Sequence, residues 1–280
     1  MEYDCHVHSS FSSDSKTEPE KQVQKAIELG MKGICFTDHM DYEFPNEERS
    51  GLSFIFDPDE YFKAMIPLKN SYSDRIGINI GVEIGLRNEE ECRERVKSDY
   101  EKLTGAYGFD FVIGSTHCLE FTDPYYEDPY WTGKSVSEGI RTYLEAVLYN
   151  ARKYDFDSLG HLDYLVRYVP ESKGWNISDY RPSDHFDIID EILKELIDSG
   201  RALEVNSAGL KYGLGFAHPQ PGILSRYREL GGELITIGSD GHKPEHICYA
   251  FGDVAEILKG LGFRYYTVYK ARHPEMIKIR

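Results

Sequence analysis

The chain has 280 residues, of which 40% are hydrophobic, and carries 48 acidic against 32 basic side chains for a formal charge of −16. That is enough apolar material for one large core or two small ones, and the acidity argues against long nucleic acids, which demand a basic surface. Residues 1–20 are polar, no apolar run reaches membrane-spanning length, and the five scattered cysteines form no C-x-x-C pair, so no membrane partner, thiolate zinc cage or redox motif is indicated and a reducing cytoplasm is expected.

In chain order, short β-branched runs alternate with helical stretches. A first strand ends in DCHVHSSFSSD, where His6 and His8 stand two apart with Asp14 close behind. A helix over 18–29 carries Val23, Ala26 and Ile27 on one face and stops at Gly30. The run 33–37 reads as a buried strand leading into Thr37-Asp38-His39. A helix over 57–71 follows, then a strand over 76–82 that delivers Glu83 within GVEIG. Next come a helix over 89–103, whose leading Glu89-Glu90-Glu91 suits the helix dipole, and a strand over 109–113 that delivers His117. Residues 120–134 and 168–182, rich in Pro, Gly and aromatics, read as loop insertions that shape a mouth. Between them lie a helix over 135–153 and a fifth strand end carrying Gly160-His161-Leu162-Asp163. Then come a helix over 183–199, a strand over 202–205 ending at Asn206, a strand over 234–237 leading into Ser239-Asp240-Gly241-His242, a helix over 244–259 and a strand over 263–268.

Strand followed by helix, repeated this often, predicts a parallel sheet with helices outside. The length and the lack of a linker favour one closed barrel spanning 1–280, ahead of an open doubly wound sheet. No Gly-rich phosphate loop follows the first strand, which disfavours a dinucleotide fold. In a barrel the carboxyl ends of the strands converge on one face. Six of the ten histidines fall at such ends. Taken singly, an H-x-H or a Ser-Thr-His is more often a turn or a satisfied core histidine than a ligand. Jointly they predict a metal site, half of it supplied by His6 and His8, which face the same way on an extended strand.

The set HVH, TDH, GVEIG, STH, GHLD and SDGH resembles the PHP (polymerase and histidinol phosphatase) superfamily over nearly the whole chain. The resemblance implies an α/β fold, a distorted (β/α)7 TIM-like barrel, with a trinuclear cluster of Zn, Fe and/or Mn. It implies that His6, His8, Glu83 and Asp240 hold one ion, that Glu83 bridges to a second completed by His117 and His161, and that Asp14, His39 and His242 hold the third. Asp14 stands where other branches of the superfamily use histidine, which suits harder ions as well as zinc; it is also a candidate cap for the helix over 18–29.

The segments GHLDYLVRYVP and EVNSAGLKYG, with the length, are most similar to the stand-alone histidinol-phosphate phosphatases of that superfamily. The implied activity is hydrolysis of L-histidinol phosphate in histidine biosynthesis by a hydroxide shared between two ions. Asp240, His242 and Arg167 are then assigned to the chemistry, Arg167 and Lys211 to the phosphate, and Ser207 to substrate binding. Lys211 replaces the arginine usual at its place, a point charge for a fork. Asp41 and Glu43, in the loop after TDH, are expected to meet the substrate amine. A metal-bound water or His218 is expected to protonate the leaving alkoxide. Three other readings remain: a PHP-type phosphoesterase acting on a nucleotide or another small ester, a non-catalytic metal binder, and an amidohydrolase. The last would usually show a carboxylated lysine, and no lysine falls at a predicted strand end. A homo-oligomer is compatible with the sequence.

Overall fold

The protein is described from a computed structural model, which describes residues 1–45, 51–126 and 129–280. Glu127 and Asp128, within the insertion expected at 120–134, lie outside the described residues.

Seven parallel strands form the barrel wall: β1 (Tyr3–Val7), β2 (Gly33–Phe36), β4 (Gly77–Gly85), β5 (Phe111–Ser115), β6 (Ser158–Leu159), β7 (Ala202–Asn206) and β8 (Ile235–Gly238), in that spatial order. A bridge between Val7 and Gly241, with His8 N donating to Gly241 O at 3.1 Å, joins the first strand to the chain just past the last. On the edge away from β5, β4 serves two partners. Gly77–Ile80 pair with β2, and Glu83 and Ile84 pair with the short β3 (His39–Met40). Thr37 and Asp38 interrupt the run between β2 and β3, and this break sets His39 directly beside Glu83.

Helices α1 (Pro19–Glu28), α2 (Pro58–Ser71), α3 (Arg93–Ala106), α4 (Val136–Lys153), α5 (Phe186–Ser199), α6 (Ala208–Lys211), α7 (Pro221–Glu229) and α8 (Phe251–Gly260) complete the fold. Their ends follow local chemistry. Asp57 caps α2, a Ser135–Glu138 capping box opens α4, and Gly200 closes α5 in the left-handed region. Their apolar stripes meet the outer face of the sheet: Val23 and Ala26 from α1, and Ile188, Ile189, Ile192, Leu193 and Leu196 from α5, are all buried.

Three sequence expectations differ from the structure. The strand expected over 263–268 is not part of the barrel wall. It is β9 (Tyr265–Lys270), which turns back as β10 (His273–Lys278) to form an antiparallel hairpin. The hairpin covers the amino-terminal end of the barrel: Tyr266 Oη accepts from Glu2 N, and Tyr269 stacks on Phe111. The helix expected over 244–259 begins only at Phe251, after a single 3-10 turn at Pro244–His246. No element was expected over 207–233, where helix α7 forms. Pro221 occupies the first turn, where its missing N–H costs nothing.

Candidate metal centre

The carboxyl ends of β1, β3, β4, β5, β6 and β8 bring His6, His8, His39, Glu83, His117, His161, Asp240 and His242 into contact, joined by Asp14 from the loop after β1. Glu83 is 1% exposed and central. Its Oε2 lies 3.2 Å from His6 Nε2, 3.5 Å from His8 Nε2 and 3.1 Å from His39 Nδ1. Its Oε1 lies 3.2 Å from His117 Nε2 and 3.1 Å from His161 Nε2. Asp240 Oδ1 is 3.4 Å from His8 Nε2 and 4.0 Å from His6 Nε2. On the open side, Asp14 Oδ2 is 3.0 Å from His242 Nε2 and 3.7 Å from His39 Nε2.

The hydrogen-bond partners behind the ring decide what these nitrogens can do. His6 Nδ1 meets Glu204 Oε1 at 2.6 Å, and His117 Nδ1 meets Asp41 Oδ2 at 2.6 Å. His8 Nδ1 lies 3.0 Å from Ser12 Oγ, whose own proton goes to Asp38 Oδ1. His242 Nδ1 lies 3.1 Å from the Asp240 carbonyl. Each partner accepts, so each Nδ1 carries the proton and each neutral ring presents a bare Nε2. The bare Nε2 atoms of His6 and His8 are then 3.0 Å apart, and that of His117 lies 3.2 Å from Glu83 Oε1 and 3.4 Å from His161 Nε2. Acceptors crowded on acceptors call for cations between them. The spacings fit such ions, since bonds of about 2.0–2.1 Å place neighbouring ligands about 3.0 Å apart at a right angle and about 3.4 Å apart at the tetrahedral angle. Imidazole with carboxylate suits zinc, iron or manganese.

Burial opposes charge on His6, His117 and His242, yet the surrounding carboxylates (Glu204 and Glu83, Asp41 and Glu83, Asp14 and Asp240, respectively) raise all three above the usual imidazole value, so the cluster draws positive charge, from protons where it holds no cations. Burial works against the charge on Glu83, but His6, His117 and His39 hold its pKa well below the usual carboxylate range. Burial also opposes the charge on Asp240, and His6, His8 and His242 overcome it. Burial, reinforced by His242 and His39, drives His8 well below the usual imidazole value, toward the neutral form that ligates.

Small residues allow these approaches. A Cβ on Gly238 would sit 2.2 Å from His6 Cβ and 2.7 Å from Glu204 Oε1, one on Gly85 would sit 2.4 Å from Asp41 Cγ, and one on Gly160 would sit 2.1 Å from Ser115 Oγ, which itself donates to Glu83 Oε1. Asp240 adopts a left-handed φ of 52°. The buried Asp4 pins the preceding residue, accepting from Ser239 N at 3.0 Å and from Ser239 Oγ at 2.6 Å.

The other expected residues are placed as follows. Arg167 lies over Tyr212, its Cζ 3.2 Å from the ring centroid, and near Tyr168. Lys211 Nζ donates to the Asp240 carbonyl at 2.9 Å. Ser207 is buried and its Oγ has no hydrogen-bond partner among the described residues. Asp41, expected at a substrate amine, is buried with Oδ2 2.6 Å from His117 Nδ1, and Glu43, expected there too, is exposed and pairs with Arg95 at 2.8 Å. Asp14 does not cap α1, whose cap residue Glu18 makes no side-chain cap bond. Sequence reasoning missed Glu204, Asp38 and Ser12. Glu204 carried a signal all the same: a carboxylate inside the apolar strand ALEVN must have a buried partner.

Residues 4–208 match the PHP domain family, and the chain belongs to it. The chain is 32% identical to a histidinol-phosphatase of Lactococcus lactis subsp. lactis, over 93% of this chain and 91% of that one. It is 33% identical to a probable histidinol-phosphatase of Clostridium acetobutylicum, over 94% and 95%. Among solved structures it is similar to the histidinol phosphate phosphatase of L. lactis complexed with zinc, L-histidinol and phosphate, with a TM-score of 0.85, 30% identity and 98% of each chain covered. A putative histidinol phosphatase of Listeria monocytogenes, at 23% identity and a TM-score of 0.75, shares the fold.

Proposed function

We propose that this chain is a metal-dependent phosphomonoesterase that hydrolyses L-histidinol phosphate to L-histidinol and phosphate, the phosphatase step of histidine biosynthesis. The observation that carries the reading is the division of Glu83: one oxygen meets His6, His8 and His39, the other meets His117 and His161. One carboxylate so placed suits two cations a few ångströms apart, with Asp14, His39 and His242 available for a third.

Ions bound there would polarise the ester and make hydroxide available from water near neutral pH. The chain's own residues do the rest. Asp41, Glu204 and Ser12 hold three imidazoles in the ligating tautomer. Asp4 and Lys211 fix the backbone on either side of Asp240. Arg167, pinned between two tyrosines, offers a planar fork to phosphate oxygens, and Ser207 Oγ offers a donor with no partner of its own. The rings of Tyr164 and Tyr168 meet edge to face beside His161 and would supply aromatic contacts for the substrate imidazole. The described cysteines are all free thiols, which fits a reducing cytoplasm, and no helix among the described residues is long and apolar enough to cross a membrane.

The test is kcat/KM for L-histidinol phosphate, nucleoside monophosphates and p-nitrophenyl phosphate on one preparation, with its metal content measured. Histidinol phosphate should lead. A nucleotide preferred tenfold or more would leave only the phosphoesterase class standing.

A further inference from the structure

One buried histidine stands beside the metal centre without belonging to it. His218 exchanges both backbone hydrogen bonds with Asn206, donating from N at 2.8 Å and accepting at its carbonyl at 2.6 Å. In an antiparallel pair of this kind the two side chains stand on the same face. The Asn206 side chain points to the centre: Nδ2 donates to Glu204 Oε2 at 3.2 Å and approaches Asp240 Oδ2 at 3.4 Å. The His218 ring, 2% exposed, therefore stands on that side too.

Its orientation is fixed from behind. Asp163 Oδ1 accepts from His218 Nδ1 at 2.5 Å, and Asp163 Oδ2 accepts from Gln220 N at 2.8 Å. Asp163 follows His161 by two residues, so the pair is anchored to the strand end that supplies a metal ligand. Phe216 packs edge-to-face on the ring. Nε2 lies on the edge turned away from Asp163, and no described residue hydrogen-bonds to it. A buried carboxylate–imidazole pair with its far nitrogen left over is placed to pass a proton to something outside the chain.

We infer that His218, held by Asp163, is the general acid that protonates the leaving oxygen; the inference rests on the phosphomonoesterase reading above. An alkyl ester such as histidinol phosphate leaves as an alkoxide, which needs that proton, whereas an aryl ester does not. In the step, a water-derived hydroxide oxygen bonds to phosphorus and the bond from phosphorus to the ester oxygen breaks. The electron pair stays on that oxygen, and the Nε2 proton of the imidazolium moves to it. The proton lost by the water goes to solvent, and solvent reprotonates Nε2.

The test compares His218→Gln and Asp163→Asn with the wild type on an alkyl and an aryl phosphate. For His218→Gln, turnover of L-histidinol phosphate should fall by about 100- to 10,000-fold, the usual worth of a general acid, while p-nitrophenyl phosphate loses less than about tenfold. Asp163→Asn should show the same ester selectivity with a smaller loss, and decides the matter if His218→Gln does not fold. Metal content by elemental analysis and phosphate affinity by calorimetry should match the wild type in both. Equal losses on the two esters, or loss of metal, would overturn the inference and make His218 structural. If the wild type prefers another alkyl phosphate, the substrate assignment fails on its own and the same comparison is made with that ester. A wild type that turns over no phosphate ester overturns both.

Discussion

Glu204 Oε1 lies 2.6 Å from His6 Nδ1, and neither side chain is more than 1% exposed. The other oxygen of Glu204 accepts from His161 N at 2.8 Å. One carboxylate therefore orients a ligand of the first group and anchors the strand end that supplies a ligand of the second.

Removing only its charge tests that role. Glu204→Gln keeps the volume and an acceptor oxygen but weakens the basicity passed to His6. Metal affinity should fall by about 10- to 100-fold, the usual cost of losing a partner behind a ligand. Competition with a chromogenic chelator reads this directly. Unchanged affinity would leave Glu204 as a strand-end anchor alone.

Close packing behind the ligands gives a second prediction. Gly238→Ala sets a methyl 2.2 Å from His6 Cβ, so it should cost about 1–3 kcal/mol through overpacking and reduce bound metal as well. Gly105→Ala, in α3 where a methyl meets nothing within 4 Å, should be neutral or stabilise by up to about 1 kcal/mol. Urea denaturation of the two variants, with metal analysis, checks the contrast.

These two cases mark what could be read from the sequence. The strand ends were legible because a period of two and a flanking small residue survive in any register, and the metal-competent residues stood at those ends. Glu204 was not singled out, because a strand pattern does not say which buried carboxylate meets which imidazole 198 residues away. Asp41 was visible but its partner was not, since His117 lies across β4, a relation only the pairing of β3 with β4 and β4 with β5 creates. The hairpin β9–β10 shows the same limit. Its apolar strand has the local pattern of a wall strand, and only its antiparallel partner sets it apart.

Asp14 separates ligand chemistry from stability. It sits 32% exposed and makes no cap for α1, and its contacts are His242 and His39. Asp14→Asn should leave metal-free stability within about 0.5 kcal/mol, as for other surface substitutions away from caps and cores. It should lower the metal stoichiometry of replete protein by one ion. Thermal melts of apo-protein and elemental analysis check the two halves.

Metal removal should destabilise the fold in a concentration-dependent way. The centre gathers Glu83, Asp240 and Asp14 around imidazoles whose Nε2 atoms face acceptors, an arrangement that cations relieve. An ion that binds only the folded chain stabilises it by about 4 kcal/mol at a thousandfold excess over its Kd. Chelated protein should therefore melt lower, and its Tm should climb with added zinc or manganese. The sign of the pH effect follows from competition, because protons and metal compete for the same nitrogens and carboxylates. The metal-dependent part of the stability should shrink as pH falls from neutral and protons take the imidazole nitrogens and carboxylates from the ions. Calorimetric melts of holo- and apo-protein at several pH values should converge on the acid side. Curves that stay parallel as the pH falls would mean that the ions are not held by these histidines.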